Sequence, residues 1–539
     1  MTSPNAPEAL SYWRLLFDQG AVDQTTFTHR YRGSGTISDP YVIEWPPGDS
    51  RNPFNWTLPR KVLITFVLGL TSLSVAFSGS AYMSPEAELG TYFNTTSEMV
   101  IMGLFTFNLG QACGPVVWGP LSETLGRQIV FIISFAGVTI FNGACTASQS
   151  ISVLVAMRFF TGLCASSPLS NAGGVISDMF IPAYRGLAMT SFILSPYLGP
   201  AIGPIVCGFV AQYAGWRWVE AFMTIFTGCM GLLGLFVIPE TYAPVLLRHR
   251  AQRMAHLTGD VYISVIEHEK GKMSIARAFQ TALSRPWIFL VREPIVTLLS
   301  VYMAIIYGTL YSFFGAFPIV YQETRGWTPG MGGLAFIGVA IGMICGVAAA
   351  FYVNIQYRKV AAKGKATPET RLIPAMIGSV LLPISLFWFA WTNYPSISAI
   401  VSIAAGVPFG AGMVLVYLAL NNYLVDSYTV YAASALAASA FLRCIFGAVF
   451  PLFTPAQYDN LGIHWAATIP AFLSLACGPF PFLFSKFGSN IRERCKYSAE
   501  AARIRRMLHN NSRSESHPEP VNNEGRDVEA NLEAEGEEK

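Results

Sequence analysis

Two arginines lie within long apolar stretches of the sequence, where a charged side chain needs a partner. Arg158 follows the run Val153-Leu-Val-Ala-Met, and Arg443 lies within the apolar run 429–453. A charge at the centre of a membrane-spanning helix costs roughly 2.5 to 3.5 kcal/mol on insertion scales, so each guanidinium is expected to face a polar cavity or a partner. The alternative for Arg158 is a side chain that extends to the nearer membrane surface.

Acidic side chains are placed differently, because no Asp or Glu lies in the middle of a predicted span, and those close to the spans, such as Glu220 of the sixth, lie near span ends. Asp178 and Asp426 are the acids that could titrate during transport, although each could equally cap a helix end or pair with a loop arginine. The loop 119–127, GPLSETLGR, places Glu123 and Arg127 four residues apart at a helix end, where they can pair with groups across the bundle. An ordinary turn with a solvated charge pair is the alternative.

The predicted fifth span contains two Gly-Pro pairs at a spacing of four residues, within GPAIGPIVCG. Prolines inside a helix free backbone carbonyls and bend the helix, and glycines four apart let another helix approach closely. The alternative is the ordinary enrichment of Gly and Pro in membrane helices. We predict a bendable, closely packed element formed by Gly199, Pro200, Gly203, Pro204 and Gly208.

Helical spacing of aromatic and amide side chains predicts a substrate cavity. Tyr307, Tyr311 and Phe314 fall at i, i+4 and i+7 and therefore share one helix face, as Asn108 and Gln111 do. An aromatic lining with scattered amides suits a planar or amphipathic organic compound better than a sugar, which needs many directional hydrogen bonds. For each residue alone, helix packing is the alternative. Further residues that we assign to this lining are Asn171, Tyr197, Tyr417 and Asn421.

Several kinds of chemistry have no sequence motif to support them. The two Gly-Lys dipeptides lack the upstream Gly and downstream Ser or Thr of a phosphate-binding loop, so we do not expect direct ATP drive. HExxH, GxSxG and CxxC motifs are also missing, which argues against an enzyme, a metal site and a disulfide scaffold. The net charge of +3 is too balanced to indicate a nucleic-acid partner. We expect no cofactor.

The elements that must position these residues are membrane-spanning helices. The chain of 539 residues is 52% apolar and only 12% charged, about half the charged fraction of a soluble domain. Twelve apolar runs of roughly 20 residues are long enough to cross about 30 Å of hydrocarbon, and they lack the alternation of barrel strands. An even number places both termini on one side, and the concentration of Lys and Arg in the loops of that side predicts that it is cytosolic.

The expected fold is therefore that of an all-α membrane protein with twelve transmembrane helices in two six-helix halves. A shift of 248 residues superposes Gly162 on Gly410, Asp178 on Asp426 and Gly199 on Gly447, which weakly supports an internal repeat. The acidic tail beyond Ser514 has almost no large apolar side chain and is expected to be disordered. The predicted divisions are a cytosolic N-terminal segment 1–61, a first half 62–238, a cytosolic central loop 239–293, a second half 294–485 and a cytosolic tail 486–539.

Taken together, these motifs resemble those of the major facilitator superfamily, and within it the fungal twelve-span drug:proton antiporters of the polyamine, multidrug and toxin efflux type. The resemblance covers roughly residues 52–485. One departure is Glu123, where the superfamily more often has Asp, although the fungal branch tolerates Glu. The stretches that carry the resemblance are GPLSETLGR, RFFTGLCASSPLSNAGG from Arg158, GPAIGPIVCG, NPFNW from Asn52, PETYAP from Pro239, Glu293-Pro, PETRL from Pro368, and YLVD from Tyr423 followed by YAASAL from Tyr431.

The resemblance implies a major facilitator fold and the export of small organic compounds by alternating access, driven by inward proton flow. It also implies a role in proton coupling or gating for Arg158, and a preference for export conferred by the motif of the fifth span. We expect a monomer in the plasma membrane that carries a drug, toxin or secondary metabolite. A nutrient or polyamine transporter and a transporter-like receptor or scaffold are the alternatives. The loop 83–97 lacks basic residues and is expected outside the cell, so Asn94 is the predicted glycosylation site.

Overall fold

The computed structural model describes residues 11–271, 274–362, 367–501 and 503. Helices dominate it, because backbone groups in hydrocarbon have no water to bind and must pair within their own segment. Among the described residues, eleven segments are long and apolar enough to cross a membrane, and the last, Ala432–Arg494, has 63 residues. Gly462 breaks that segment with φ 72° and ψ 165°, so it makes two crossings. The chain is thus an all-α, multi-pass membrane protein, and the prediction of about twelve spans is confirmed.

We number the spanning helices α1 to α12. The predicted eleventh span ended at 453, whereas the helix continues to Gly462, with Pro451 and Pro455 inside it. The bounds are α1 Leu58–Ala81, α2 Ser97–Thr124, α3 Arg127–Thr146, α4 Ile151–Met179, α5 Pro182–Ala214, α6 Trp216–Val237, α7 Pro294–Phe317, α8 Ile337–Ala362, α9 Ile373–Trp391, α10 Gly406–Tyr428, and Ala432–Cys477 for α11 and α12 together, which meet at Gly462.

Shorter elements connect and flank the spans. The predicted central loop contains three helices and a strand, and the last span is followed at once by a helix that extends beyond 485, the predicted end of the second half. The prediction of a disordered tail beyond Ser514 concerns residues outside the described ones. The short helices are Tyr12–Phe17, Gln24–Thr28, Pro53–Asn55, Glu86–Tyr92, Ala243–Thr258, Val265–Lys270, Ile275–Arg292, Pro318–Glu323, Pro329–Gly333, Leu334–Phe336, Pro368–Leu372, Ala399–Ala404, Thr429–Tyr431 and Pro479–Arg494, and the strands are Tyr41–Ile43 and Tyr262–Ser264.

Helix packing repeats between the two halves. In the first half α1 packs against α5, and α4 packs against both α2 and α3. In the second half α7 packs against α11, and α10 packs against both α8 and α9. Each pair recurs six helices later, which is the arrangement of a parallel structural repeat. The halves meet through α2 with α11 and α5 with α8, and these two contacts are related in the same way.

Glycines at equivalent places allow two of these helix pairs to touch. A Cβ at Gly162 in α4 would lie 2.0 Å from the backbone oxygen of Phe107 in α2, so these two helices are in backbone contact. In α10, a Cβ at Gly410 would lie 2.3 Å from the backbone oxygen of Val339 in α8. Gly162 and Gly410, which the 248-residue shift superposes, therefore allow the same close helix contact in the two halves.

The two ends of the bundle differ in how the halves pack. We call the end where α1 begins the terminal face and the end where α1 finishes the far face. At the far face one buried apolar cluster contains Tyr82, Met83 and Leu104 of the first half together with Phe314 and Phe317 of the second. Leu89, Val100, Ile101 and Trp216 belong to the same cluster, whereas two further buried apolar clusters lie within the first half. The halves are therefore closed against each other at the far face.

On the terminal face, the N-terminal segment is fastened to the central segment. Strand Tyr41–Ile43 pairs in parallel with Tyr262–Ser264, with Tyr41 opposite Tyr262. Nearby, Asp49 and Arg250 form an ion pair of 2.5 Å in which both side chains are 2% exposed. These contacts hold the N-terminal segment, which precedes α1, against the central segment, which follows α6. Both segments therefore form part of the terminal face of the first half.

Candidate functional site

The guanidinium of Arg158 is completely buried in α4, with 0% of the residue exposed. Its Nη1 donates a hydrogen bond to the backbone oxygen of Ser78 (3.1 Å) and its Nη2 donates one to that of Gly79 (3.1 Å), both in the last turn of α1. The ring centroids of Tyr82 and Phe107 each lie 4.5 Å from the guanidinium carbon. Carbonyl oxygens and aromatic faces both offset the cost of removing a cation from water. Arg158 thus lies inside the bundle and does not extend to its surface.

Arg443 and four tyrosines form what we call the central cluster, which joins the two halves. The guanidinium of Arg443 in α11 lies 5.1 Å from the ring centroid of Tyr307 and 5.9 Å from that of Tyr417. The ring of Tyr197 in α5 packs against Tyr417, with centroids 5.3 Å apart. The hydroxyl of Tyr307 donates a hydrogen bond to that of Tyr311 (3.1 Å). A cation surrounded by aromatic rings provides both stacking surfaces and a charge for a planar ligand.

Two further residues predicted for the cavity adjoin the central cluster. The ring of Phe314 contacts Tyr311 with centroids 5.2 Å apart. Asn108 in α2 donates from Nδ2 to the backbone oxygen of Gly447 in α11 (3.4 Å), and a Cβ on that glycine would come within 2.8 Å of the Tyr307 ring. The buried Oδ1 of Asn108 has no hydrogen-bond partner among the described residues. This amide therefore has an acceptor left for a ligand.

The remaining predicted lining residues lie away from these contacts. Asn171 donates from Nδ2 to Ser167 Oγ in its own helix (3.1 Å), and it lies about 20 Å along α4 from Arg158. Asn421 is half-buried, one turn beyond the central cluster in α10, and Gln111 is 5% exposed, one turn beyond Asn108 in α2. These three residues extend the polar lining from the middle of the bundle toward the terminal face.

The loop between α2 and α3 brings Arg127 to Asp178, and leaves Glu123 exposed. Arg127 Nε lies 3.5 Å from Asp178 Oδ2, and its Nη1 donates to Ser122 Oγ (2.6 Å). The ring of Tyr242 packs on the guanidinium, 4.7 Å from its carbon. The pair links the start of α3 to the end of α4, and Glu123 lies outside it.

The second half contains the equivalent ion pair. Arg371 Nε lies 2.9 Å from Asp426 Oδ2, at the end of α10. The Arg371 Nη1 also donates to Asn354 Oδ1 in α8 (3.3 Å), and the amide of Asn354 donates in turn to Thr190 Oγ1 in α5 (2.7 Å). This chain of contacts crosses from the second half to the first at the terminal face. Both aspartates that sequence singled out as titrating acids are therefore partners of arginines.

Glu240, which follows α6, organises the terminal face of the first half. Its Oε1 accepts hydrogen bonds from the backbone N–H groups of Arg127 (3.0 Å) and Tyr242 (2.8 Å), and its Oε2 accepts one from Gln128 N–H (3.1 Å). A carboxylate on the first N–H groups of α3 also interacts favourably with the helix dipole. Gly126 makes room for it, because its φ is +101° and a Cβ there would lie 2.2 Å from Glu240 Oε2.

The glycines of the α5 motif face two different neighbours. A Cβ at Gly199 would come within 2.6 Å of α1, and one at Gly203 would lie 2.1 Å from Ser80 Oγ in α1. Gly208 faces the second half, where a Cβ would lie 2.8 Å from the backbone oxygen of Pro329. The motif thus packs α5 tightly inside the first half through two glycines and against the second half through the third.

Prolines of the same motif lie inside α5, which remains one continuous helix through Pro200 and Pro204. The backbone oxygen of Pro204 contacts the second half: a Cβ at Gly333 would lie only 2.2 Å from it. Since Gly333 is helical and has ordinary dihedrals, it is the close approach that requires glycine here. The far face is therefore sealed by backbone in contact with backbone.

Two acids from different halves also approach each other at the far face. Glu86, in the short helix after α1, accepts a hydrogen bond from Ser97 Oγ. Burial raises the pKa of Glu86 from 4.5 to about 7, and the negative charge of Glu323 in the second half acts in the same direction. Closure of the far face thus holds Glu86 where its neutral form is favoured.

Sequence reasoning missed three residues that the fold brings into these networks. Glu240 appears in the sequence analysis only as part of the PETYAP stretch. No pattern in the sequence indicates a role for Asn354, because a single amide in an apolar helix is not distinctive. Glu220 was placed near the end of the sixth span and given no role. It is 1% exposed in α6, and its Oε2 has no hydrogen-bond partner among the described residues.

Comparisons with known proteins agree with this architecture. The sequence model described as Major Facilitator Superfamily matches residues 66–451. The chain is 52% identical over 509 residues to "MFS-type efflux pump MFS2" of Trichophyton rubrum, covering 94% of this chain and 86% of that protein. It is 50% identical over 515 residues to "Major facilitator superfamily multidrug transporter mdrA" of Aspergillus fumigatus, covering 95% and 85%. It is 47% identical over 495 residues to "Efflux pump FUB11" of Gibberella moniliformis, covering 91% and 83%.

Proposed function

The chain belongs to the Major Facilitator Superfamily and is an efflux transporter, and we propose that it exchanges protons for planar, neutral or anionic organic compounds. It is a transporter and not an enzyme. The observation that carries the substrate class is the central cluster, where both halves contribute rings around one guanidinium. Aromatic rings favour planar compounds, and the charge of Arg443 repels cations and attracts anions.

This charge argues against the polyamine alternative. A polyamine carries several positive charges and would have to displace or neutralise Arg443 in order to bind next to it. An aromatic acid or a neutral aromatic compound would stack on Tyr307 or Tyr417 and accept hydrogen bonds from the guanidinium. We therefore place drugs, toxins and secondary metabolites of this chemistry ahead of nutrients and polyamines.

Alternating access follows from the way the halves meet. The far face is closed by a shared apolar cluster and by close backbone contacts, whereas at the terminal face a hydrogen bond from Asn354 in α8 to Thr190 in α5 joins the halves. The ion pair of Arg371 with Asp426 lies inside the second half and holds Asn354 through a further hydrogen bond. We propose that the terminal face opens and closes by exchange of these polar contacts, with the central cluster exposed to one side at a time. Arg127 and Asp178 form the equivalent ion pair inside the first half.

The membrane sides remain part of the proposal. The basic loops support a cytosolic terminal face and an external far face, with both termini in the cytosol, and the cell membrane as location. Asn94 is exposed in the loop of the far face, within the sequon Asn94-Thr-Thr. Glycosidase treatment should shift the mobility of the wild type but not that of Asn94→Gln. An equal shift in both proteins would contradict the proposed side.

The substrate proposal is tested first in cells. A strain lacking its own drug pumps, with and without this transporter, is grown with three sets of compounds: aromatic acids, neutral aromatic compounds and polyamines. We expect resistance to members of the first two sets. Arg443→Gln keeps a polar, although shorter, side chain and removes the charge, and it should reduce resistance to the acids more than to the neutral compounds. Protection against polyamines alone would overturn the substrate proposal.

Energy coupling is then tested with purified protein in vesicles, using the compound that gave the strongest resistance. Transport should start when a pH difference is imposed, stop when a protonophore collapses it, and ignore ATP. The phosphate-binding loop that ATP drive would need is missing from the sequence. Transport that follows a sodium or substrate gradient but not the pH difference would refute proton exchange.

A further inference from the structure

The first half contains a buried acid that no network described so far uses. Glu220 lies in the second turn of α6, with 1% of the residue exposed and its Oε2 lacking a hydrogen-bond partner among the described residues. An ionised carboxylate in such a place costs several kcal/mol more than the neutral acid, because the charged form has lost its water. A buried carboxyl group without a partner therefore needs either a proton or a nearby cation.

The cation is present but is engaged elsewhere. Arg158 acts electrostatically on Glu220, yet its two Nη atoms donate to the carbonyls of Ser78 and Gly79 in α1. The Nε of Arg158 is buried and also lacks a hydrogen-bond partner among the described residues. Glu220 and Arg158 thus lie in one buried region, and each has a polar atom without a hydrogen-bond partner among the described residues. The two side chains do not form an ion pair of 4.0 Å or less in the described structure.

The other groups around this acid do not provide a second charge. Helix α6 packs against α1, α3 and α5. From these neighbours, the titratable groups that act on Glu220 or respond to it are Tyr82 after α1, Cys145 in α3 and Cys207 in α5, with Arg158 in α4. A buried tyrosine and two buried thiols are neutral near pH 7, so the charge balance depends on Glu220 and Arg158.

We infer that Glu220 is the acid that binds the transported proton. Arg158 changes its hydrogen bonds with α1 when Glu220 gains or loses that proton. With a proton on Glu220, Arg158 holds the carbonyls at the end of α1, as observed. When the carboxyl group loses that proton, its negative charge draws the guanidinium away from Ser78 and Gly79. The inference rests on the proposed proton exchange and names the residue that carries it.

This exchange is connected directly to the far face. Ser78 and Gly79 lie in the last turn of α1, and the next residues, Tyr82 and Met83, belong to the apolar cluster that both halves share. Release of the α1 end therefore loosens the closed far face, and protonation closes it. One proton binds to a carboxylate oxygen of Glu220 from water at the open far face, and the same proton leaves to water at the terminal face.

Infrared difference spectra of the purified protein test proton binding without any substrate. A change from alkaline to acidic buffer should produce carboxylic acid C=O bands in the wild type, to which Glu86 also contributes. The component that belongs to Glu220 should be lost in Glu220→Gln and shifted in Glu220→Asp. Glu98→Gln is the matched control, because Glu98 is an exposed acid near the same face, and its spectrum should equal that of the wild type. A band of full amplitude in Glu220→Gln, or an unshifted band in Glu220→Asp if the Gln variant does not fold, would overturn the inference.

The conformational consequence has its own readout. Spin labels at Tyr213 and Met331, which are exposed on the two halves near the far face, report the opening of that face, with the exposed Cys229 and Cys345 replaced by alanine. The measurement is made in a Glu86→Gln background, which removes the other acid of the far face whose pKa is raised to about 7. In that background the protein with Glu220 should open at alkaline pH, whereas the protein that also carries Glu220→Gln should stay closed at every pH. A wild-type pH response in that variant would refute the inference.

If vesicle transport ignores the pH difference, the proposed function fails. If transport follows the pH difference but the infrared band persists in Glu220→Gln, only the inference about Glu220 fails.

Discussion

Replacing Gly333 by alanine should open the far face by steric wedging alone. The added Cβ would lie 2.2 Å from the backbone oxygen of Pro204 and 2.9 Å from its carbonyl carbon, both in the opposite half. Backbone atoms of a packed helix cannot turn aside as a flexible side chain can, so relief requires the halves to separate. The closed far face is the state that must lose stability.

The size of the effect follows from the overlap. Forcing an extra methyl group into a well-packed contact costs typically about 1 to 3 kcal/mol. An energy of that size shifts a two-state equilibrium by roughly 5- to 150-fold. Because the clash exists only while the far face is closed, the whole cost acts on the equilibrium between the two faces. Binding at the central cluster should change much less than transport does.

The assay uses the labels at Tyr213 and Met331 already described. Gly333→Ala should increase the population with long distances between labels at constant pH. Gly332→Ala is the matched control, because its Cβ would meet only the flexible amide of Gln322 in the same half, at 2.8 Å. Equal distance distributions in Gly333→Ala and the wild type, with both proteins folded, would refute the steric seal.

Two further predictions concern charged groups. Arg158→Ala should fold and reach the membrane but lose export, and Arg158→Lys should recover only part of it, because an ammonium group cannot reach two carbonyls with a planar fork; normal export by a well-expressed Ala variant would contradict this. Glu86 has its pKa raised to about 7 in the closed state, so its stabilising contribution is complete at acidic pH and is lost as pH rises from 4.5 through about 7. Closure measured by the spin labels should weaken over that range, and Glu86→Gln should remove this component, whereas an unchanged pH profile in the variant would exclude Glu86.

Local sequence patterns were sufficient for the fold because the membrane allows few alternatives. An apolar run of sufficient length must be a helix in hydrocarbon, so the number of spans and their approximate bounds could be predicted. The 248-residue shift also paired residues that are structurally equivalent, since Asp178 and Asp426 each end a helix beside an arginine. The end of α11 was placed too early at 453, because the following residues 454–462, TPAQYDNLG, are less apolar and a hydropathy pattern ends there although the helix continues.

The candidate site was less accessible to sequence reasoning, because its contacts come from separate helices. The i, i+4, i+7 spacing placed Tyr307 and Tyr311 on one face, but not Tyr197, whose contact with Tyr417 depends on how the halves dock. Glu220 was set aside because hydropathy locates only the ends of a span. Whether an acid near such an end meets water or the protein interior depends on the neighbouring helices, which a single sequence does not specify.

The parallel strand pair on the terminal face fixes an order of events during biosynthesis. Tyr41–Ile43 leaves the ribosome with its edge unpaired, and its partner Tyr262–Ser264 follows only after all six helices of the first half have been made. Pairing of the strands can therefore complete the first half before the helices of the second half have all been made. Domains that fold during synthesis expose less hydrophobic surface to the rest of the nascent chain. The second half can then insert beside a first half whose terminal face is already assembled.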